Sequence, residues 1–382
     1  MTDERTAPRG PNSRGRAVVI TPAKPDGLGD QAMIDVAATQ LSDAGFSVTL
    51  LPNPTPTRLG VPGVAAGGVG GKLSILANVA RARRVIVIGA DILDGRYNPD
   101  TILSRLKLAA IAHRFGAKVR VIGCSFSTAP NPRVIEWLKR AEWLEILARE
   151  EVSKARMEAA LGRPVELVAD SAFLLRPEAT TPAAHDAIAF AEAQHAAGRR
   201  VLGLNASGLV FSKVAPGTLE AYAEAVAEWV AGREDMAAMV VSHDSRPGQI
   251  GDQASCDVLA EAVGRMVPDR FHYVRDGINA WDVKGFAGHL DMVLLCRMHF
   301  GIACLGNGVP PLALVSMGKF EGLMGLFGLD GLEIDPERVA ADPRSIQGRL
   351  DDLAERAPDL RTRIEAALPE VRAMSARNYA GL

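Results

Sequence analysis

Apolar residues in this chain gather into short runs bounded by glycine, proline or charge, with helical periodicity in the stretches between them. The runs at 17–21 (AVVIT), 47–51 (SVTLL), 84–90 (RVIVIGA), 118–126 (KVRVIGCSF), 146–148 and 165–170 (VELVAD) are rich in Val and Ile. They lack the polar alternation of a half-exposed strand and so predict strands buried on both faces. Helical patterns separate them at 31–44, after a Gly-rich stretch that ends at residue 71, at 99–115, from Arg133, and at 152–161. The rhythm restarts with RVLGLNA at 200–206 and continues through 236–244, 271–276, 292–297 and 311–316, with helices around 219–231, 256–266, 281–287 and from His299. Strands that alternate with helices pair in parallel under helical cover. Two such series in succession predict an α/β protein of two doubly wound parallel sheets.

The stretch 176–198 changes character, with Pro177 and Pro182 ahead of an Ala-rich helix. The expected organisation is a polar tail over 1–15, a first domain over 16–176, a linker and helix over 177–198, and a second domain over 199–343. The last segment, 344–382, carries a charged amphipathic pattern from 345 to 376 and predicts a helix that packs back across the domains.

Length agrees, since 382 residues exceed one ordinary core. With 48% hydrophobic and 23% charged residues, the chain has the composition of a globular protein. Its net charge is −2 and no stretch concentrates enough Lys and Arg to neutralise a row of phosphates, so nucleic acid is not an expected partner. Cys124, Cys256, Cys296 and Cys304 are scattered with no CxxC pair, which supports neither a disulfide framework nor a zinc site, and no metal is expected. The N-terminal residues lack the apolar core of a signal peptide, and no later run reaches the roughly 20 apolar residues of a membrane span. A cytoplasmic protein is expected, free or peripheral to the inner face of the membrane. Nothing in the sequence fixes its oligomeric state.

Chemistry concentrates where strands end. In open α/β sheets ligands bind outside the carboxyl ends of the strands, where helix N-termini point free N–H groups outward. The apolar run at 292–296 ends in Arg297 and His299 ahead of a small-residue helix pattern. Arg297 offers a planar fork for carboxylate or phosphate, and His299 can give or take a proton near neutral pH. GLGD, at 27–30, falls between a strand and a helix; Gly29 lets backbone approach a ligand, while Asp30 caps the helix or accepts from a sugar hydroxyl. It lacks the third glycine of a dinucleotide fingerprint. GADILDG, at 89–95, places Asp91 and Asp94 in the equivalent position, either to hold an acceptor's hydroxyls or to terminate strand and helix. His243 and Asp244 end another strand before a Pro-Gly turn, Arg149 follows a short strand with Glu150 or Glu151 as its alternative partner, and Lys284 and Lys319 add positive charge unless they are solvated surface groups.

These residues resemble the polysaccharide pyruvyl transferase family. Its C-terminal pattern "KG…D…RxH…A…G(V)P…K" is matched by Lys284, Gly285, Asp291, Arg297, His299, Ala303, Gly308, Pro310 and Lys319. GLGDQAM is similar to its N-terminal "G(N)xGD.A" turn, Arg149 and Ser153 to its "RxxxS" segment, ADSAFLL at 169–175 to its "DxAFLL" strand end, and SHDSRPGQIGDQ to its "PH…D" loop. The chain departs from the family at Gly89, Ala90 and Asp91, where many members carry "GGG". The resemblance implies a GT-B-like fold, with two Rossmann-like domains facing across a cleft, the second on the donor side. It further implies transfer of a pyruvyl group from phosphoenolpyruvate to a sugar of a cell-surface glycan or its precursor, free or lipid-linked, in exopolysaccharide or cell-envelope synthesis, with no cofactor. Arg297, His299 and Asp30 would then be catalytic, and Gly29, Asp91, Asp94, Arg149, His243, Asp244, Lys284 and Lys319 would bind substrate. Two other readings share the same anion site: a nucleotide-sugar glycosyltransferase, and a catalytically silent glycan-binding relative.

Overall fold

The computed structural model describes residues 14–22, 27–90, 92–246, 248, 251–315 and 320–382. The chain divides into two compact units, one drawn from Met1–Pro25, Met33–Ser171 and Ala376–Leu382, the other from Asp26–Ala32 and Ala172–Ser375.

The first unit is built on six parallel strands, β1 (Arg16–Ile20), β2 (Ser47–Leu51), β3 (Ala82–Ala90), β4 (Lys118–Cys124), β5 (Glu145–Ala148) and β6 (Glu166–Leu167), in the order β2-β1-β3-β4-β5-β6. The expected runs overlap these strands; β3 is buried from Val85 to Ala90 under helical cover, whereas the two-residue edge strand β6 is not buried, contrary to the expectation for its run. Helix Pro99–Arg114 begins where Asn98 accepts from the Thr101 amide and proline occupies the first turn. The C-terminal turn Arg377–Tyr379 is pinned to this sheet, with Asn378 accepting from the Gly123 amide at 3.2 Å and donating to the Ala169 carbonyl at 2.8 Å. Strand order reverses between β1 and β3.

The second unit carries β7 (Arg200–Leu204), β8 (Met236–Val241), β9 (Phe271–Val274), β10 (Met292–Leu295), β11 (Pro311–Leu314) and β12 (Glu333–Ile334) in the order β12-β11-β10-β7-β8-β9, again all parallel. Here the order reverses between β7 and β10, the arrangement that opens a ligand crevice at the carboxyl ends of those two strands. Strand β12 has two residues and no apolar run, so the hydrophobic pattern does not reveal it.

The stretch read as a linker is integral to this second unit. Its helix Pro182–Ala196 is capped by Thr181 and tied down by buried Asp282, which accepts from the Thr180 and Thr181 amides at 2.6 and 3.3 Å. The helix Ser345–Ala376 matches its predicted span, and its buried face runs Leu350, Leu353, Leu360, Ile364 and Val371 at helical spacing. All four cysteines are buried thiols.

Candidate functional site

The reversal between β7 and β10 gathers most of the candidate residues. Arg297 follows β10 after Cys296 and is the N-cap of helix Met298–Leu305, without a side-chain cap of its own. Its guanidinium donates through Nε to Asp252 at 2.7 Å, Nη2 reaches the same oxygen at 2.7 Å, and Nη1 lies 3.4 Å from Asp244. Asp252 is fully buried, and Asn205, just past β7, donates to its other oxygen at 3.1 Å while accepting from the Cys296 amide at 3.3 Å. The ends of β7, β8 and β10 are thereby bonded through one polar cluster. Arg246 joins it by donating from Nε to both Asp244 oxygens at 2.8 and 3.0 Å. Two guanidinium groups face two carboxylates, so the cluster is close to neutral.

Electrostatics follow from burial. Desolvation raises Asp252, and the Arg297 charge and hydrogen bonds only partly offset it. Burial also pushes Asp244 upward, but the Arg246 hydrogen bond and the two guanidinium charges bring it below the usual carboxylate range. The same Asp244 forms an isolated antiparallel bridge with Gly27, which places the GLGD turn against the loop after β8.

A second group lies beside this cluster. Gly29, His243, Lys284 and His299 line a small cavity of about 10 Å³, with Val283 and Ile302 among its apolar walls. That is room for about one water molecule. His243 is buried, its ring 5.8 Å from that of Phe300, and desolvation, aided by the neighbouring His299 and Arg297 and only partly opposed by Asp244, lowers it to about 3, so it is neutral at physiological pH. Lys284 is no solvated surface group: it is 2% exposed and donates to the Ala172 and Phe173 carbonyls at 3.2 and 3.0 Å.

Gly29 has a specific steric reason. A Cβ there would lie 2.3 Å from His299 Nδ1 and 2.4 Å from its Cγ, so the imidazole occupies the space a side chain would need. Two positions further along helix Leu28–Asp43, Gln31 accepts from the Ala280 amide at 2.9 Å and fastens the motif to helix Ala280–Ala287. Asp30 lies between them in the first helical turn, where a carboxylate suits the helix dipole.

The first unit treats its candidates differently. Asp94 is buried and accepts from the Arg96 and Ser127 amides at 3.0 and 2.9 Å, which is the strand-terminating alternative. Arg149 pairs with Asp170 at 2.8 Å and donates to Ser125 at 2.7 Å, while its sequence neighbour Glu150 caps helix Glu151–Leu161. Among the described residues its ion pair is with Asp170 and not with Glu150 or Glu151, which face the Ser153 amide and Lys154. Asp91 and Lys319 lie outside the described residues.

Neither Asp252 nor Asn205 is marked as a site residue by its position in the sequence. Asp252 sits within SHDSRPGQIGDQ, where an Asp before a helix reads as an ordinary cap.

The sequence profile for polysaccharide pyruvyl transferase matches residues 28–316, from the first turn of helix Leu28–Asp43 to just past β11. The chain belongs to the polysaccharide pyruvyl transferase family. It is accordingly a transferase, and the GLGD and RMH motifs that meet in the second unit both fall largely within the matched span. No curated protein matches the sequence. Solved structures similar to this chain include a putative UDP-N-acetylglucosamine 2-epimerase from Listeria monocytogenes, with 12% identity, 96% of this chain and 97% of that chain covered, and a TM-score of 0.59. A UDP-GlcNAc 2-epimerase from Neisseria meningitidis is similar at 10% identity, 95% and 100% coverage and a TM-score of 0.56. Sucrose-phosphate synthase from Thermosynechococcus elongatus is similar at 10% identity, 96% coverage of both chains and a TM-score of 0.57. At these identities the likeness is one of fold, and the chain has a GT-B-like pair of Rossmann-like units.

Proposed function

We propose that this transferase moves the pyruvyl group of phosphoenolpyruvate onto two hydroxyls of a saccharide that belongs to a cell-surface glycan or its precursor, free or lipid-linked. In that reaction the enol CH2 takes a proton, one sugar oxygen bonds to C2, and the C2–O bond to phosphate breaks as the second sugar oxygen closes the ketal. Of the two hydroxyl protons released, one balances the new methyl group and the other leaves with phosphate.

One observation carries the reading: the family match includes the Arg297-Met298-His299 motif, and that motif stands at a strand-order reversal. The donor carries a carboxylate and a phosphate, and the first-turn amides of helix Met298–Leu305 beside a guanidinium suit such an anion. Because Arg297 is already held by Asp252 and Asp244, the donor would share an oriented cation rather than capture a mobile one. His299 is the group for proton movement or for steadying departing phosphate. His243, neutral, acts as a hydrogen-bonding neighbour. Neither role needs a metal.

Thermal denaturation with added ligand tests the reading. Phosphoenolpyruvate at about 100 times its Kd stabilises the protein by about 2.7 kcal/mol. A nucleotide sugar leaves the transition where it was. Stabilisation by the nucleotide sugar alone would assign the chain to glycosyl transfer instead.

A further inference from the structure

Residues 59–71, LGVPGVAAGGVGG, contain no polar side chain, yet most of them face solvent. The segment runs beside the edge strand β2, with the Val64 amide donating to Leu50 and the Leu50 amide to Pro62, and passes into helix Gly68–Ala80. That helix buries Ile75 and Val79 against the sheet. Its outer face presents Val69, Leu73 and Leu76, at 76%, 62% and 41% exposure, spaced four and three residues apart and therefore on one side. Leu59 adds a further exposed apolar side chain at 53%. Gly67 and Gly70 stand in open space, where an added Cβ would meet nothing within 4 Å. A helix with apolar residues on both its inner and outer faces is unusual on a protein surface and marks a place where something is covered.

Charge indicates what covers it. Between Ala44 and Ala90 the chain has five basic residues, Arg58, Lys72, Arg81, Arg83 and Arg84, and no acidic one, although the whole chain has a net charge of −2. Asp35 takes up Arg58. Lys72 and Arg81 are exposed on the helix itself, flanking the apolar face and following its last turn. Apolar side chains between cations, in a segment that carries no carboxylate of its own, suit a helix lying in the interfacial plane of an anionic bilayer. Among the described residues no helix is long and apolar enough to cross a membrane.

We infer that helix Gly68–Ala80 and the segment before it form a membrane-docking surface, with Val69, Leu73 and Leu76 entering the headgroup–acyl boundary and Lys72 and Arg81 meeting anionic lipid phosphates. The inference does not depend on which donor the enzyme uses.

The test is co-sedimentation of the full chain with vesicles of phosphatidylcholine alone or mixed with phosphatidylglycerol. Binding to the mixed vesicles, weakened by salt, is expected, with little binding to phosphatidylcholine. Leu73→Asp is expected to weaken binding at least about tenfold, since one inserted leucine contributes on the order of a tenfold factor or more. Gly70→Glu supplies the second variant: it adds an acid where there is room and replaces a poor helix former, so it weakens binding without a packing penalty. Phe115→Asp, at an exposed apolar residue outside this helix, leaves binding unchanged. Absence of wild-type binding, binding by Leu73→Asp and Gly70→Glu as strong as that of the wild type, or a dimer in solution that Leu73→Asp dissociates would each overturn the inference.

Discussion

The two sheets of this transferase have six parallel strands each, and each reverses strand order once, yet the polar groups near the two reversals serve different ends. At the β1/β3 reversal, Arg105 donates to the carbonyls of Ile20 and Ile88, and in the neighbouring loops Asp94 holds two backbone amides and Arg149 holds Asp170. Each bond stitches a loop or strand end in place. At the β7/β10 reversal, the side chains of Asn205, Asp244, Asp252 and Arg297 bond to one another, with two imidazoles and a buried lysine alongside. Topology opens a crevice at both places. What the side chains are committed to decides which of them supports chemistry.

The sharpest way to break this contrast is to remove the arginine from each side. Arg297→Ala leaves Asp252 buried without its cation and is expected to cost about 3–5 kcal/mol of stability, as is Arg149→Ala through Asp170. Their activities should diverge. Per folded molecule, read from kcat corrected by a denaturation curve, Arg297→Ala loses at least about 100-fold and Arg149→Ala less than about threefold. Equal losses would mean that both reversals take part in the reaction.

A pair of glycines separates the units again, with a smaller effect. Gly29→Ala drives a methyl group into His299, whereas Gly89→Ala drives one to 2.2 Å from Cys124 Sγ and 2.6 Å from the Ile122 carbonyl. The first is expected to lower kcat about tenfold to 100-fold and also to lower the melting transition, because His299 Cβ itself lies 2.8 Å from the added methyl and the whole residue must shift. The second acts on stability, by about 1–3 kcal/mol through overpacking. A Gly29→Ala enzyme with full activity would show that the His299 position is not critical.

The fold was legible because strands covered on both faces need unbroken apolar runs, and eleven of the twelve described strands overlap the runs read from the sequence. The two-residue β12 carries none. The site was half legible. Arg297, His299, His243, Asp244 and Gly29 stand at strand ends, where sequence alone marks them. Lys284 read equally well as a surface group, since burial of one lysine depends on helices distant in sequence and on the Ala172 and Phe173 carbonyls they bring near. Asp252 was hidden because its partner Arg297 is 45 residues away. Adjacency misled in the opposite direction at Arg149, where Glu150 was the nearest carboxylate in sequence but is spent on its own helix.

pH distinguishes the second unit more gently. His243 titrates at about 3 in the folded protein against 6.5 unfolded, so the unfolded chain takes up its proton first as pH falls. Stability from this group is complete above pH 6.5 and is lost as pH falls toward 3, by about 2 kcal/mol between pH 7 and pH 5. Asp252, raised by burial, works in the opposite direction. Comparison with His243→Gln isolates the histidine: urea denaturation at the two pH values should show the wild type losing about 2 kcal/mol more than the variant. The smallest expected effect is that of a chelator, which should leave turnover unchanged; loss restored by a divalent ion would show that the cationic side chains do not suffice.

The most direct test of the central claim is a crystal structure of the wild-type enzyme with phosphoenolpyruvate soaked in. The account predicts the donor at the carboxyl ends of β7 and β10, its anionic groups within hydrogen-bond reach of Arg297, His299 and the first-turn amides of helix Met298–Leu305. Donor density at the β1/β3 reversal instead, beside the loops of Asp94 and Arg149, would contradict it.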